Sequence, residues 1–182
     1  MAPAKLGLTT LAVAVLAAGG YFMVAPSCAA SSPAVSLPPE PQPLEARQEV
    51  EIDGESFDLE LALTNTQRVQ GLSDRRAIDE DGGMLFVYPY DRVMRFVMRR
   101  CHVPIDIIFL DADGRIVQMY AMEVIEPIGG EDWYAPPLGD DYSSIERARF
   151  AIELQGGMLE SLDLGVGDVI ELPLEDLKAR AR

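Results

Sequence analysis

Between Gly82 and Asp113 the chain reads GGMLFVYPYDRVMRFVMRRCHVPIDIIFLDAD. Three apolar runs in it, Met84 to Tyr88, Val93 to Met98 and Ile105 to Leu110, are each of strand length and bounded by Gly, Pro, Asp or Arg. The spacing predicts three adjacent core strands, with an arginine cluster between the second and the third. No nucleophile-base pair, metal-ligand spacing or phosphate loop accompanies them, so no catalytic residue, metal or cofactor is assigned.

Alternation extends the sheet on both sides. Val50 and Ile52, then Phe57, Leu59, Leu61 and Leu63, share one face, and Asp53-Gly54 between the two runs is a hairpin signal. Thr64 with Gln67 three residues on is a capping box for a short helix that Gly71 ends. Asp111-Ala112-Asp113-Gly114 is a turn that pairs Ile105 to Asp111 with Arg115 to Val124. It does not read as a calcium loop, because Arg115, Ile116 and Val117 follow where further oxygen ligands are needed. Arg147 to Leu154 alternates as a strand, Met158 to Leu164 is a short helix, and Val169 to Leu172 is a last strand stopped by Pro173. The fold class is therefore mainly β (α+β), a single small barrel-like or curled antiparallel sheet with two short helices.

Four segments follow from composition. Residues 1–30 have Lys5 as their one charge, ahead of a nearly continuous apolar run from Leu6 to Ala25. They read as a signal peptide or a membrane anchor, with Cys28 as a lipidation alternative. Residues 31–47, rich in proline, read as a linker, residues 48–173 as the β-rich domain, and residues 174–182, EDLKARAR with the preceding Leu174, as a polar tail that frays. Export leaves Cys101 as the remaining thiol, which favours a buried, inert cysteine. The net charge of -15 opposes nucleic acid and anionic lipid as partners. The expected setting is the periplasm, with membrane contact only through the N-terminal segment, and a monomer whose partner is a small anion or an envelope protein.

Several ordered motifs resemble the DUF192 family. They are Gly71-Leu72 with Arg75, Gly83-Met84-Leu85-Phe86, Phe96-Val97-Met98-Arg99, Pro104-Ile105-Asp106-Ile107-Ile108-Phe109-Leu110-Asp111 with Gly114, Ala151-Ile152-Glu153-Leu154 with Gly156, and Gly165-Val166-Gly167-Asp168. The resemblance runs from about Glu49 to Leu172 and implies a small, often exported, β-rich domain with no assigned activity. Two departures stand out. The family's Phe-Trp-Met-Lys-Asn-Thr is here Phe96-Val97-Met98-Arg99-Arg100-Cys101, and Ser73 stands where Met is common.

Guanidinium groups suit carboxylate or phosphate ligands, so Arg75, Arg95 and Arg99 are candidates for an anion site. The competing assignment is an internal ion-pair set with Asp106, Glu153 and Asp168, which lie in apolar contexts. Asp106, ahead of a wholly apolar run, reads as a buried anchor for Arg75 or Arg99, or as a perturbed site residue. Cys101 and His102 are strand neighbours and point apart, against a nucleophile-base pair. Trp133, with Tyr90, Tyr134 and Tyr142, could line a cleft under the loop from Pro127 to Ser144. Three functions remain open: a small-molecule or partner binder of the cell envelope, a hydrolase using carboxylates such as Asp106 and Glu153, and a structural interaction module. A binder predicts a pocket with convergent arginines, and an enzyme predicts a carboxyl with a strongly raised pKa in a cleft. An interaction module predicts an exposed apolar patch with neither.

Overall fold

The computed structural model describes residues 39–124 and 142–182. The targeting segment at residues 1–30, most of the linker, and Trp133 and Tyr134 with most of their loop lie outside the described residues.

The chain opens with the expected hairpin, strands β1 (Arg47–Ile52) and β2 (Glu55–Ala62). Its turn is made by Asp53 and Gly54, both in the left-handed region at φ 50° and 80°, the pairing that matches the twist of a two-residue hairpin. Helix α1 (Asn65–Gln70) follows, with the Thr64 and Gln67 capping box formed in both directions and Gly71 ending it. A long connection then brings β3 (Gly82–Arg92) alongside β2 in parallel. The expectation of a wholly antiparallel sheet is therefore corrected. A helix between two strands carries the chain back to its starting end, so the strand after it runs in the same direction.

Next come β4 (Arg95–Phe96), β5 (Ile105–Leu110), β6 (Ile116–Met122), β7 (Tyr142–Ser143) and β8 (Ala148–Gln155). The main sheet is mixed, six-stranded and open, in the order β1-β2-β3-β8-β5-β6, with β1 and β6 at its edges. It is not closed into a barrel. Nor are the three apolar runs of the central stretch adjacent strands. β8 lies between β3 and β5, pairing antiparallel with both, and the middle run supplies only β4, which pairs with β7 in a separate two-stranded sheet. The segment expected as a last strand makes a single bridge, Arg115 to Val169, against the turn between β5 and β6.

Apolar side chains cover both faces of the sheet. One layer gathers Phe57, Leu59, Leu85, Phe150, Ile152 and Leu154 under helix α2 (Met158–Ser161) and the C-terminal segment. The other gathers Met84, Phe86, Met94, Met98, Ile107 and Phe109, with Phe96 and Tyr120 packed against them. The expected polar tail is instead a third helix, α3 (Leu174–Arg180), which drops Leu177 into the first layer with no exposure. A single buried leucine holds a short polar helix because its burial contributes roughly 2 kcal/mol. The linker's end also joins the fold: Leu44 N–H donates to Glu60 Oε2 at 2.7 Å, and Arg47 opens β1.

A cleft between helix α1 and the arginine segment

The second layer is incomplete where α1 ends, and a cleft of about 500 Å³ opens there. One wall is α1 and its trailing turn through Leu72 and Ser73; the other is the segment from Arg92 to Cys101. Phe86 and Tyr88 of β3 and Glu153 of β8 complete it. Phe86 and Phe96 meet edge to face with centroids 5.0 Å apart, giving the cleft one apolar patch among its polar side chains. Val69, Val93 and Val97, at 59%, 44% and 37% exposure, surround its mouth.

The two walls are tied to each other. Asp74 and Arg100 both hold left-handed backbone, φ 65° and 58°. Asp74 N–H donates to the Arg100 carbonyl at 2.7 Å, and Arg100 Nε donates to Asp74 Oδ1 at 2.8 Å, with a second ion-pair contact from Nη2 to Oδ2. Left-handed non-glycine backbone is uncommon, and here the double clasp offsets its cost. Arg100 is thereby the residue that ends the alternation of the arginine segment.

The charged side chains lining the cleft are Arg68, Arg92, Arg95, Arg99 and Glu153. Of the candidate anion residues, the structure brings Arg95 and Arg99 together here and leaves Arg75 out. Arg75 is buried, with Nη2 donating to both carboxylate oxygens of Glu60 at 3.1 and 3.0 Å, an internal ion pair of the kind weighed against a binding site. Arg68 was not singled out by the sequence because α1 read as a simple capped helix. It donates to the carbonyls of Leu63, Val87 and Arg182 and lies 4.9 Å from the Tyr88 ring centroid, so it staples the wall. Arg92 also sits over that ring, 5.6 Å from the same centroid. Among the described residues, Arg99 makes no side-chain ion pair.

Asp106 is buried, but its partner is not an arginine. Its Oδ2 accepts the Leu159 N–H at 2.7 Å, so it anchors the first turn of α2. Burial raises its pKa, and the backbone donors Leu159, Gly157 and Met158 oppose that rise. Since Ile108 and Leu110 belong to the first layer and Ile107 and Phe109 to the second, strand alternation places Asp106 on the face away from the cleft. Glu153 stands on the cleft side, between Ile152 and Leu154 of the first layer. The two carboxylates of the hydrolase reading are therefore on opposite faces of the sheet and do not form a pair. Asp168 is exposed and accepts the Gly165 N–H at 2.7 Å as a turn residue.

Glu153 is the unusual group. It sits on a central strand opposite Met84 of β3 and Ile107 of β5, is 6% exposed, and its Oε2 is buried with no hydrogen-bond partner. Burial pushes its carboxyl from 4.5 up to about 8, with the Leu72 N–H acting in the opposite direction. Cys101 is also buried in this lining, its thiol pushed up to about 12 by burial and by Glu153, which fits the inert cysteine expected. Between pH 4.5 and about 8 the folded chain keeps a proton on Glu153 that the unfolded chain has lost. The stability this supplies is complete below pH 4.5 and disappears as the pH rises to about 8. Glu153→Gln removes the titration. Its stability by urea denaturation is expected to gain on the wild type by more than about 1 kcal/mol across that window, and parallel pH curves would mean that Glu153 titrates as an ordinary carboxyl.

Residues 48–172 match the family model DUF192, described as "Uncharacterized ACR, COG1430". No curated protein matches. Two solved structures share the fold. One is a proposed transcription regulator from Sinorhizobium meliloti 1021, 30% identical over 69% of this chain and 89% of its own, with a TM-score of 0.54. The other is a protein of unknown function from Novosphingobium aromaticivorans DSM 12444, 24% identical over 76% of this chain and 94% of its own, with a TM-score of 0.59.

Proposed function

The chain belongs to the DUF192 family of uncharacterised proteins, and from its own cleft we propose that it binds a small organic anion. One observation carries this reading: four arginines and a single, proton-retaining carboxyl line one cleft in a protein whose net charge is -15. An acidic chain repels anions as a whole, so positive charge gathered in one concavity supplies local attraction that the rest of the surface lacks. The cleft volume lies within the range of small-molecule sites. The apolar run from Leu6 to Ala25 supports the cell envelope as the setting. The same net charge speaks against carrying DNA binding over from a relative described as a transcription regulator.

The test is a thermal-shift series on the full chain with organic carboxylates and phosphate esters at millimolar concentration. A rise in melting temperature is expected for some of them. It should be lost in the Arg92→Gln/Arg99→Gln double variant, whose unliganded melting temperature stays within about 2 °C of wild type because neither side chain is deeply buried. No shift with any anion, or a shift that survives in the variant, overturns the reading.

A further inference from the structure

Resting on the anion-binding reading above, we infer that the anion is supplied by the side-chain carboxylates of an extended acidic peptide, which adds as a strand to the open edge of β4. From Val93 to Met98 exposure alternates: Val93, Arg95 and Val97 are exposed, Met94 and Met98 are buried, and Phe96 is half-buried. The segment therefore runs extended beyond the two residues of β4 itself. β7 takes one edge of it. Ser144 N–H donates to the Met94 carbonyl at 3.1 Å, Met94 N–H donates to Ser144 Oγ at 2.9 Å, and Phe96 stands opposite Tyr142. Main-chain groups of successive strand residues alternate between the two edges, so those of Val93, Arg95 and Val97 point away from β7. Among the described residues, neither Val93 nor Val97 has a hydrogen-bond partner on its N–H or C=O.

The neighbours decide which way that open edge faces. β7 is held to β6, at the rim of the main sheet, by the Tyr120 hydroxyl, which donates to the Ser143 carbonyl at 2.9 Å. Phe96 lies further in, with its ring centroid 5.5 Å from that of Phe109 of β5 and 5.0 Å from that of Phe86 of β3. Passing from β7 to β4 thus leads toward β3, and the edge beyond β4 gives onto the cleft that has α1 as its other wall. A strand edge facing a helix across a groove suits strand addition, in which main-chain hydrogen bonds supply affinity and alternate side chains supply specificity.

Charge selects the guest. On its exposed side the segment reads Val93, Arg95, Val97 and Arg99, apolar and cationic in turn, and Val69 is exposed on the helix wall. Side chains of an added strand lie beside those of its neighbour on the same face, so the fitting peptide alternates apolar and acidic residues on one face. Arg99 makes no ion pair among the described residues, and a carboxylate that meets it breaks none already made. A phosphate ester brings charge but no main chain for the edge.

The probe is acetyl-Thr-Val-Thr-Glu-Thr-Val-Thr-Glu-amide, which when extended presents Val and Glu in turn on one face, titrated calorimetrically into the full chain. It is expected to bind, and the same peptide with Lys for Glu to bind at least roughly tenfold more weakly. Two further peptides carry N-methyl groups, one on every Thr and the other on every Val and Glu. An added strand pairs through one set of amides only, so one methylated peptide is expected to lose binding and the other to keep it. Arg99→Gln should weaken the acidic peptide roughly tenfold and leave an analogue with Gln for Glu unchanged. Methylated peptides that behave alike overturn the inference, as does a lysine peptide that binds as tightly as the acidic one. A parent peptide that fails to bind while small carboxylates or phosphate esters still raise the melting temperature overturns it too, and leaves the anion reading standing. If neither the peptide nor any small anion binds, both fall together. The methylated pair on the wild-type chain decides the matter even if Arg99→Gln fails to fold.

Discussion

Gly83→Ala is expected to destabilise the protein by about 4 kcal/mol, the sum of a backbone cost and a steric one. Gly83 lies at the start of β3 with φ 151°, a conformation that side chains other than hydrogen rarely adopt. A methyl group there would sit 2.2 Å from the Glu153 carbonyl oxygen, and 3.0 and 3.2 Å from methyls of Leu59 and Leu154. Leucine methyls can turn away. The carbonyl belongs to β8, which is paired on both sides at the centre of the sheet, and cannot. A single domain of this size holds about 5 to 15 kcal/mol in total, so the variant loses a large share of it. The measurement is the midpoint of urea unfolding. A midpoint within experimental error of wild type would mean that β3 and β8 do not approach as closely as described.

Arg75→Met should cost about 3 to 5 kcal/mol, because it strands Glu60 in the interior with its charge unanswered. Glu60 keeps only the Leu44 N–H, and both side chains of the pair are about nine-tenths buried. The double variant Arg75→Met/Glu60→Leu is expected to recover most of the loss, since burying two charges is nearly offset by their attraction and apolar groups of similar size do as well. If the single variant unfolds at the wild-type urea concentration, the pair is hydrated and contributes little. If the double variant is worse than the single, the pair is needed to position the loop from Asp74 to Asp81 rather than merely tolerated there.

What was legible in the sequence was local. The Asp53-Gly54 hairpin and the Thr64 capping box depend on residues within four positions of each other, and both formed as read. Strand order was not legible, because β8 enters between β3 and β5 from about sixty residues away from the first of them, and alternation within a strand says nothing of its neighbours. Leu177 looked like a stray apolar residue in a charged tail. Its helical spacing from Leu174 was the signal, and it was short. Among the site residues, Arg95 and Arg99 were identified and do line the cleft, whereas Arg75 was drawn into the set by composition alone. Glu153 was recognised as a carboxylate in apolar surroundings, but its solitude depends on three strands and a turn meeting around it. The partner of Asp106 was missed for the same reason: backbone N–H groups are carried by every sequence and mark none.

The clasp between Asp74 and Arg100 has a consequence for how the cleft works. It fixes the separation of the two walls through main chain and side chain alike, inside one folded chain. The entropy of ordering those walls is therefore lost once, at folding, and not again at each encounter with a ligand. On the proposed binding function, shape and spacing would act as a ruler that admits molecules of the right breadth and turns away wider ones without any closing movement. On that reading association waits on no closing movement, and discrimination among ligands falls to how long each one stays.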